Sequence, residues 1–195
     1  MSEPLSTELA QRVRCVILDV DGVMTDGGIY TGVTDSGEPL ELKRFEITDG
    51  LGAKMMVWAG LHVYILSGRH SQANQRRASE LGIEYREAPG GYKRVVADQL
   101  VEKAGCNWSE VACICDDLAD LPILDAAGLP VAVANAVPEV RAVARWVTTR
   151  HGGRGAVREF AEELLRARGQ WNALVAQYRN DRSKPAPAHN ADVRA

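Results

Sequence analysis

Apolar residues along the chain gather into short runs of strand length: CVILDV from Cys15, HVYILSG from His62, VACICDD from Val111, LPVAVAN from Leu129 and RWVTT from Arg145. The stretches between them space their apolar positions at three and four residues, as helices with one buried face do. This alternation predicts an α/β protein of βαβ units around a central parallel sheet. The helices carry their own stop signals. One is expected from Ser71 to Gly82 and another from Tyr92 to Gly105, each ending on glycine, while Pro138 stands where a first helical turn opens.

One segment breaks the alternation. GGIYTGVTDSGEPLELKRFEI holds two extended stretches around the turn-rich TDSGEP, which predicts a β-hairpin over about residues 27–47, too small for a second domain. From Gly155, the positions Val157, Phe160, Ala161, Leu164, Leu165 and Trp171 keep a helical rhythm, predicting a C-terminal helix over about 155–178. The expected organisation is a flexible N-terminus over 1–11, one domain over 12–178 and a disordered tail over 179–195, where NDRSKPAPAHNADVRA offers almost nothing to bury.

Composition narrows the partners. The chain of 195 residues is 46% hydrophobic and 25% charged, enough for one full core, and its 23 basic against 26 acidic side chains leave a net charge of -3. That balance supplies no positive field for nucleic acid or an anionic membrane, so any bound anion must be held locally. No apolar run approaches the roughly 20 residues of a membrane span, and MSEPLSTELAQRVR lacks a signal-peptide core, so the expectation is a cytoplasmic protein. Cys15, Cys106, Cys113 and Cys115 have no CxxC spacing and read as buried thiols.

In parallel sheets ligands gather at the carboxyl ends of strands. The first run ends on Asp19 and Asp21; the second ends on SGR, Ser67 to Arg69; Lys93 follows APGGYK; and CICDDLADLP brings Asp116, Asp117 and Asp120. Singly, each has a bland reading: an Asx turn, a loop opening, a solvated lysine at a helix start, or carboxylates facing a helix dipole. In this order around one sheet they form a constellation. Converging carboxylates repel unless a hard divalent cation compensates them, and oxygen ligation with a phosphate co-ligand is the habit of Mg²⁺. Extended backbone places Asp19 and Asp21 on the same side, so one can attack while the other moves a proton. Ser67 and Lys93 can then hold phosphoryl oxygens.

These four motifs, DVDGV, SGR, Lys93 and DDLAD, resemble those of the haloacid dehalogenase (HAD) superfamily of phosphohydrolases. DVDGVMTDGGIY, FEITDGLGAK, SGRHSQANQRRASELGI, DDLADLPIL and GGRGAVREF further resemble the 3-deoxy-D-manno-octulosonate 8-phosphate (Kdo 8-phosphate) phosphatases, over about residues 12–170. The resemblance implies a three-layer Rossmann-like HAD fold with no separate cap domain. Its implied activity is Mg²⁺-dependent hydrolysis of Kdo 8-phosphate in lipopolysaccharide precursor synthesis. By the same resemblance, Asp19 is the nucleophile and Asp21 the general acid and then base. Mg²⁺ is held by Asp19, Asp116 and the main-chain carbonyl of Asp21, while Asp117 and Asp120 orient the metal's surroundings or the loop.

Substrate-contacting positions carry over onto Glu46, Ile47, Thr48, Asp49, Gly50, Lys54, Arg69 and Arg77, besides Lys93; an arginine fork suits the carboxylate of a sugar acid. The resemblance also implies a homotetramer whose hairpins pair, with Arg154 and Arg158 reaching substrate or a neighbouring subunit; the bland reading of GGRGAVRE is a glycine linker. Cys115 stands where glycine is usual, Asn135 where aspartate is common, and APGGYK replaces a Gln-Gly approach to the lysine. These departures leave open a nine-carbon keto sugar acid 9-phosphate (KDN or N-acetylneuraminate 9-phosphate) as substrate. An inactive HAD-like oligomerisation module is the reading from another class.

Overall fold

The computed structural model describes residues 4–185. After a short helix α1 (Thr7–Arg12), strand β1 (Cys15–Asp19) enters the centre of the molecule and leads into a tight loop. The hairpin β2 (Tyr30–Val33) and β3 (Pro39–Leu42) follows, then α2 (Ile47–Trp58), β4 (His62–Ser67), α3 (Gln72–Leu81), β5 (Glu84–Glu87) and α4 (Lys93–Lys103). The second half carries β6 (Val111–Cys115), α5 (Leu121–Leu124), β7 (Leu129–Ala132), α6 (Pro138–Val143), β8 (Trp146–Val147), α7 (Ala156–Ala167) and α8 (Trp171–Arg182). The six long-range strands form one parallel sheet in the order β5-β4-β1-β6-β7-β8, and β2 and β3 form a separate antiparallel pair.

The register explains how distant motifs meet. β1 is buried along its whole length because β4 and β6 flank it and helices cover both faces, which is why it reads as an unbroken apolar run. Asp19 pairs with Leu66, one residue before Ser67, and Leu18 pairs with Ile114, two residues before Asp116. Three motifs spread over about a hundred residues therefore leave the sheet side by side at its carboxyl edge. Between β1 and β4 only the hairpin and α2 intervene, so no cap domain is present among the described residues.

Helix α7 closes one face. Val157, Phe160, Ala161, Leu164 and Leu165 are buried, and its main packing partner is α2, whose Gly52 lets the two backbones approach at Arg158. Each large apolar side chain buried here contributes about 1.5–3 kcal/mol.

Several expectations need correcting. The N-terminal segment is not wholly flexible: Leu5 and Ala10 are buried, and the Arg168 guanidinium donates to the carbonyls of Ala10 (2.8 Å) and Val13 (2.7 Å). α1 is too short to show a period in sequence and is held by these tertiary contacts. The single C-terminal helix is two, interrupted at Gly169 in the left-handed region (φ 73°). α8 runs past residue 178 to Arg182, with Tyr178 stacked on Trp58 at 5.8 Å; the rest of the expected tail, from 186, lies outside the described residues. β5 was not foreseen, because EYRE is polar; as an edge strand it is covered on one side only, and its charges discourage further pairing. Cys106 is half-buried, whereas Cys15, Cys113 and Cys115 are buried.

Candidate active site

At the end of β1 the carboxylate of Asp19 is almost entirely out of water and meets the ammonium of Lys93 at 2.5 Å; the same ammonium meets Asp120 at 2.6 Å. Lys93 reaches this point because it opens α4 just past Tyr92 and the pair Gly90 and Gly91, both at positive φ, which fold the APGGYK loop back toward the sheet. Carboxylate oxygens of Asp19, Asp116 and Asp120 lie within 4.8 Å of one another. One lysine cannot balance three carboxylates. Burial pushes the Asp19 and Asp116 carboxyls well above the usual range against the pull of Lys93, helped by repulsion from Asp120 on both and from Asp19 on Asp116. Burial opposes the charge of Lys93, but Asp19 and Asp120 outweigh it and hold the ammonium protonated.

The donor set fits a hard divalent cation. Asp116 Oδ1 is buried with no hydrogen-bond partner among the described residues, a costly condition that a bound cation would relieve. Gly22, at φ 91°, passes so close to the Asp116 carboxylate that any Cβ there would collide with it. The glycine of DxDG thus allows the loop after β1 to wrap the carboxylates. Thr25, fully buried, binds that loop to itself: its Oγ1 donates to the carbonyl of Val20 and accepts from the amides of Gly22 and Gly27.

Asp19 (ψ 164°) and Asp21 (ψ 110°) both have extended backbone, and Val20 between them already turns the chain out of the strand. Asp21 is the more open of the two. Its Oδ2 accepts from Ser67 Oγ (3.3 Å), and its Oδ1 pairs with Lys43 Nζ (2.7 Å), a residue that sequence reasoning passed over. Asp120 does more than expected: besides gripping Lys93, its Oδ2 accepts from the amide of Asp117 (3.3 Å). Asp117 is turned away to accept from Leu118 N (2.8 Å) and shapes the loop.

The stretch expected to touch substrate divides. Glu46 caps α2 and pairs with Arg44 (2.9 Å), while Ile47 and Thr48 are exposed. Asp49 is buried and turned into the structure: its Oδ1 accepts from Arg158 N (2.8 Å), capping α7 across more than a hundred residues. Burial pushes its carboxyl up to about 6. The first turn of α7 takes the Oδ1 acceptor, while Oδ2 is buried with no hydrogen-bond partner among the described residues. Gly50 leaves room for the Arg77 guanidinium, which lies over Phe45 and pairs with Glu80 (3.3 Å); Lys54 donates to the carbonyl of Glu80 (3.1 Å). Arg69 is half-exposed beside Glu41 (3.4 Å).

GGRG is no free linker. The Gly152 amide donates to Asn135 Oδ1 (2.8 Å), the Gly153 amide to the Val23 carbonyl (2.8 Å), and the Gly153 carbonyl accepts from Arg44. The turn is thereby fastened against the Asp21 loop of its own chain. Asn135 keeps the acceptor that this contact needs. Arg154 is exposed beside Asp26 (3.5 Å), whereas Arg158 is drawn onto Glu162 (2.6 Å) and the ring of Trp171. Cys115 fits at the end of β6, fully buried.

A family model for haloacid dehalogenase-like hydrolases matches residues 87–160. The chain is 40% identical over 177 residues to the Kdo 8-phosphate phosphatase of Salmonella typhi, covering 89% of this chain and 92% of that protein. It belongs to the Kdo 8-phosphate phosphatase family. Among solved structures of this family, the Moraxella catarrhalis enzyme in complex with magnesium, phosphate and Kdo superposes with a TM-score of 0.80 at 36% identity, covering 88% of this chain and 97% of that one. The cobalt-bound Haemophilus influenzae phosphatase superposes with a TM-score of 0.77 at 37% identity, covering 85% and 94%.

Proposed function

We propose that the protein is a Mg²⁺-dependent phosphatase that hydrolyses Kdo 8-phosphate to Kdo and phosphate through an aspartyl-phosphate. The observation that carries this reading is the buried cluster in which Lys93 bridges Asp19 and Asp120 while Asp116 Oδ1 has no hydrogen-bond partner among the described residues. Asp19, Asp116 and the main-chain carbonyl of Asp21 would hold Mg²⁺. When bound, the ion supplies positive charge that keeps the carboxylates ionised and draws electrons from the phosphoryl oxygens.

An oxygen of Asp19 attacks phosphorus, and the bond from phosphorus to the sugar oxygen breaks. Asp21 gives that oxygen its proton. Lys93 and Ser67 hold the transferring oxygens, where their charge and hydrogen bond count most as the transition state spreads its charge. Asp21, now a carboxylate, takes a proton from water attacking the phosphorus, and Asp19 leaves as a carboxylate. The sugar acid lies toward Glu46 to Gly50, Lys54, Arg69 and Arg77, with the Asp49 side chain supporting from behind.

The hairpin supports assembly into a homotetramer. Tyr30, Val33, Leu40 and Leu42 are exposed on a two-stranded ribbon, a small apolar surface that gains by pairing with another copy. Buried reduced thiols and a phosphorylated sugar acid fit a cytoplasmic location.

The test is phosphate release from Kdo 8-phosphate and from KDN and N-acetylneuraminate 9-phosphates, with Mg²⁺ and with EDTA. The expected result is Mg²⁺-dependent release, fastest by kcat/KM on Kdo 8-phosphate. Preference for a nine-carbon ester would correct the substrate, and no release from any ester would favour an inactive oligomerisation module.

A further inference from the structure

The hairpin has a second face. On β3 the alternation puts Leu40 and Leu42 outward, while Glu41, and Lys43 just past the strand, turn inward. The Lys43 side chain is 0% exposed and lies between Asp21 (2.7 Å) and Glu41 (3.7 Å). Glu41 in turn accepts from Ser71 Oγ at the start of α3 (2.7 Å) and pairs with Arg69 (3.4 Å) in the SGR loop. A continuous polar chain thus runs from Asp21 through the hairpin to the loop after β4.

Removing an ammonium from water is expensive unless it is paired, and a thin, otherwise exposed hairpin has no core that calls for a lysine. Its ion pair is spent on Asp21, which the sheet does not hold: Asp21 lies beyond the end of β1, in the loop, and its other oxygen has only the longer 3.3 Å contact from Ser67. A carboxylate that serves as acid in one step and base in the next must keep its direction through both.

We infer that Lys43, braced by Glu41, is a positioning residue that aims the Asp21 carboxylate, so that the hairpin takes part in proton transfer and is more than an assembly element. This rests on the function proposed above. The positioning acts on both half-reactions: when Asp21 gives its proton to the sugar oxygen, and when it takes one from the water that cleaves the aspartyl-phosphate.

Two esters separate this role from others. The sugar oxygen needs a proton to leave, whereas 4-nitrophenolate does not; both esters pass through the same aspartyl-phosphate. For Lys43→Met, kcat/KM on Kdo 8-phosphate should fall about thirtyfold, a part of the usual acid-base contribution. On 4-nitrophenyl phosphate, kcat/KM should stay within about threefold while kcat falls about tenfold, because only hydrolysis of the intermediate still needs Asp21. Lys43→Arg, which keeps the charge, should recover most of both losses, and Glu41→Gln should show the same pattern more weakly.

An aryl-ester kcat unchanged in Lys43→Met would overturn the inference, since Lys43 would then serve only the sugar. Equal losses of kcat and kcat/KM on both esters, shared by Lys43→Arg, would also overturn it and point to general damage. If the wild-type protein releases phosphate from neither ester in Mg²⁺, the proposed function itself fails and takes this inference with it.

Discussion

The carboxyl edge of the sheet and the hairpin are built from opposite materials. At the edge, Asp19 and Lys93 side chains are 6% and 5% exposed, locked between paired strands and a helix start. In the hairpin, Tyr30, Val33 and Leu42 are 57%, 72% and 55% exposed on two four-residue strands. The first region holds charge where water would be cheaper, and the second leaves apolar surface where a core would be cheaper. A bound cation would relieve the first, and the assembly proposed above would cover the second.

The contrast breaks hardest at Lys93. Lys93→Met leaves two buried carboxylates without their counter-ion and should lower kcat on Kdo 8-phosphate by about a thousandfold or more, read by single-turnover phosphate release; a loss under tenfold would remove Lys93 from the reacting group. Next is Asp116→Asn, which should raise the Mg²⁺ concentration for half-maximal activity about a hundredfold, measured by titration against an EDTA-stripped sample.

Asp49 sharpens the comparison from inside the fold. Its carboxyl is raised from 3.8 to about 6, so the folded state binds its proton more tightly than the unfolded chain does. Its contribution is therefore full below about pH 4 and is lost as pH rises through 6, on the order of 3 kcal/mol. The fall in urea midpoint from pH 4 to 7 should be smaller in Asp49→Asn than in the wild type, the remaining slope belonging to the other raised carboxyls, Asp19 and Asp116.

The hairpin should yield smaller effects on chemistry. Tyr30→Ser with Leu42→Ser, which face each other across the ribbon, should reduce the assembly seen by light scattering and cost about tenfold in kcat/KM, with little change in the melting of the sheet domain. Smallest is Arg154→Ala. Its pair with Asp26 is largely solvated, so stability should move by no more than about 0.5 kcal/mol in a denaturant titration.

The same contrast governs what could be read from the amino acids alone. Asp19, Asp21, Ser67, Lys93 and Asp116 were legible because they close apolar runs or open helices, and a parallel sheet gathers those positions at one edge. Lys43 was not, because its burial depends on the hairpin folding back over the loop, which local pattern does not encode. Asp49 lay within the stretch that resembles the family's substrate-binding segment, yet its partner is the amide of Arg158, far along the chain. The break at Gly169 and the edge strand EYRE were missed for a similar reason: helical rhythm continues across the glycine, and a half-covered strand needs no apolar run.

The central claim is that Asp19 itself carries the phosphoryl group. Rapid quenching of enzyme, Mg²⁺ and Kdo 8-phosphate, followed by borohydride reduction and peptide mass spectrometry, tests it directly. The account predicts homoserine at position 19 in the wild type, with no such product and no phosphate release in Asp19→Asn. Reduction at another aspartate, or full turnover by Asp19→Asn, would contradict it.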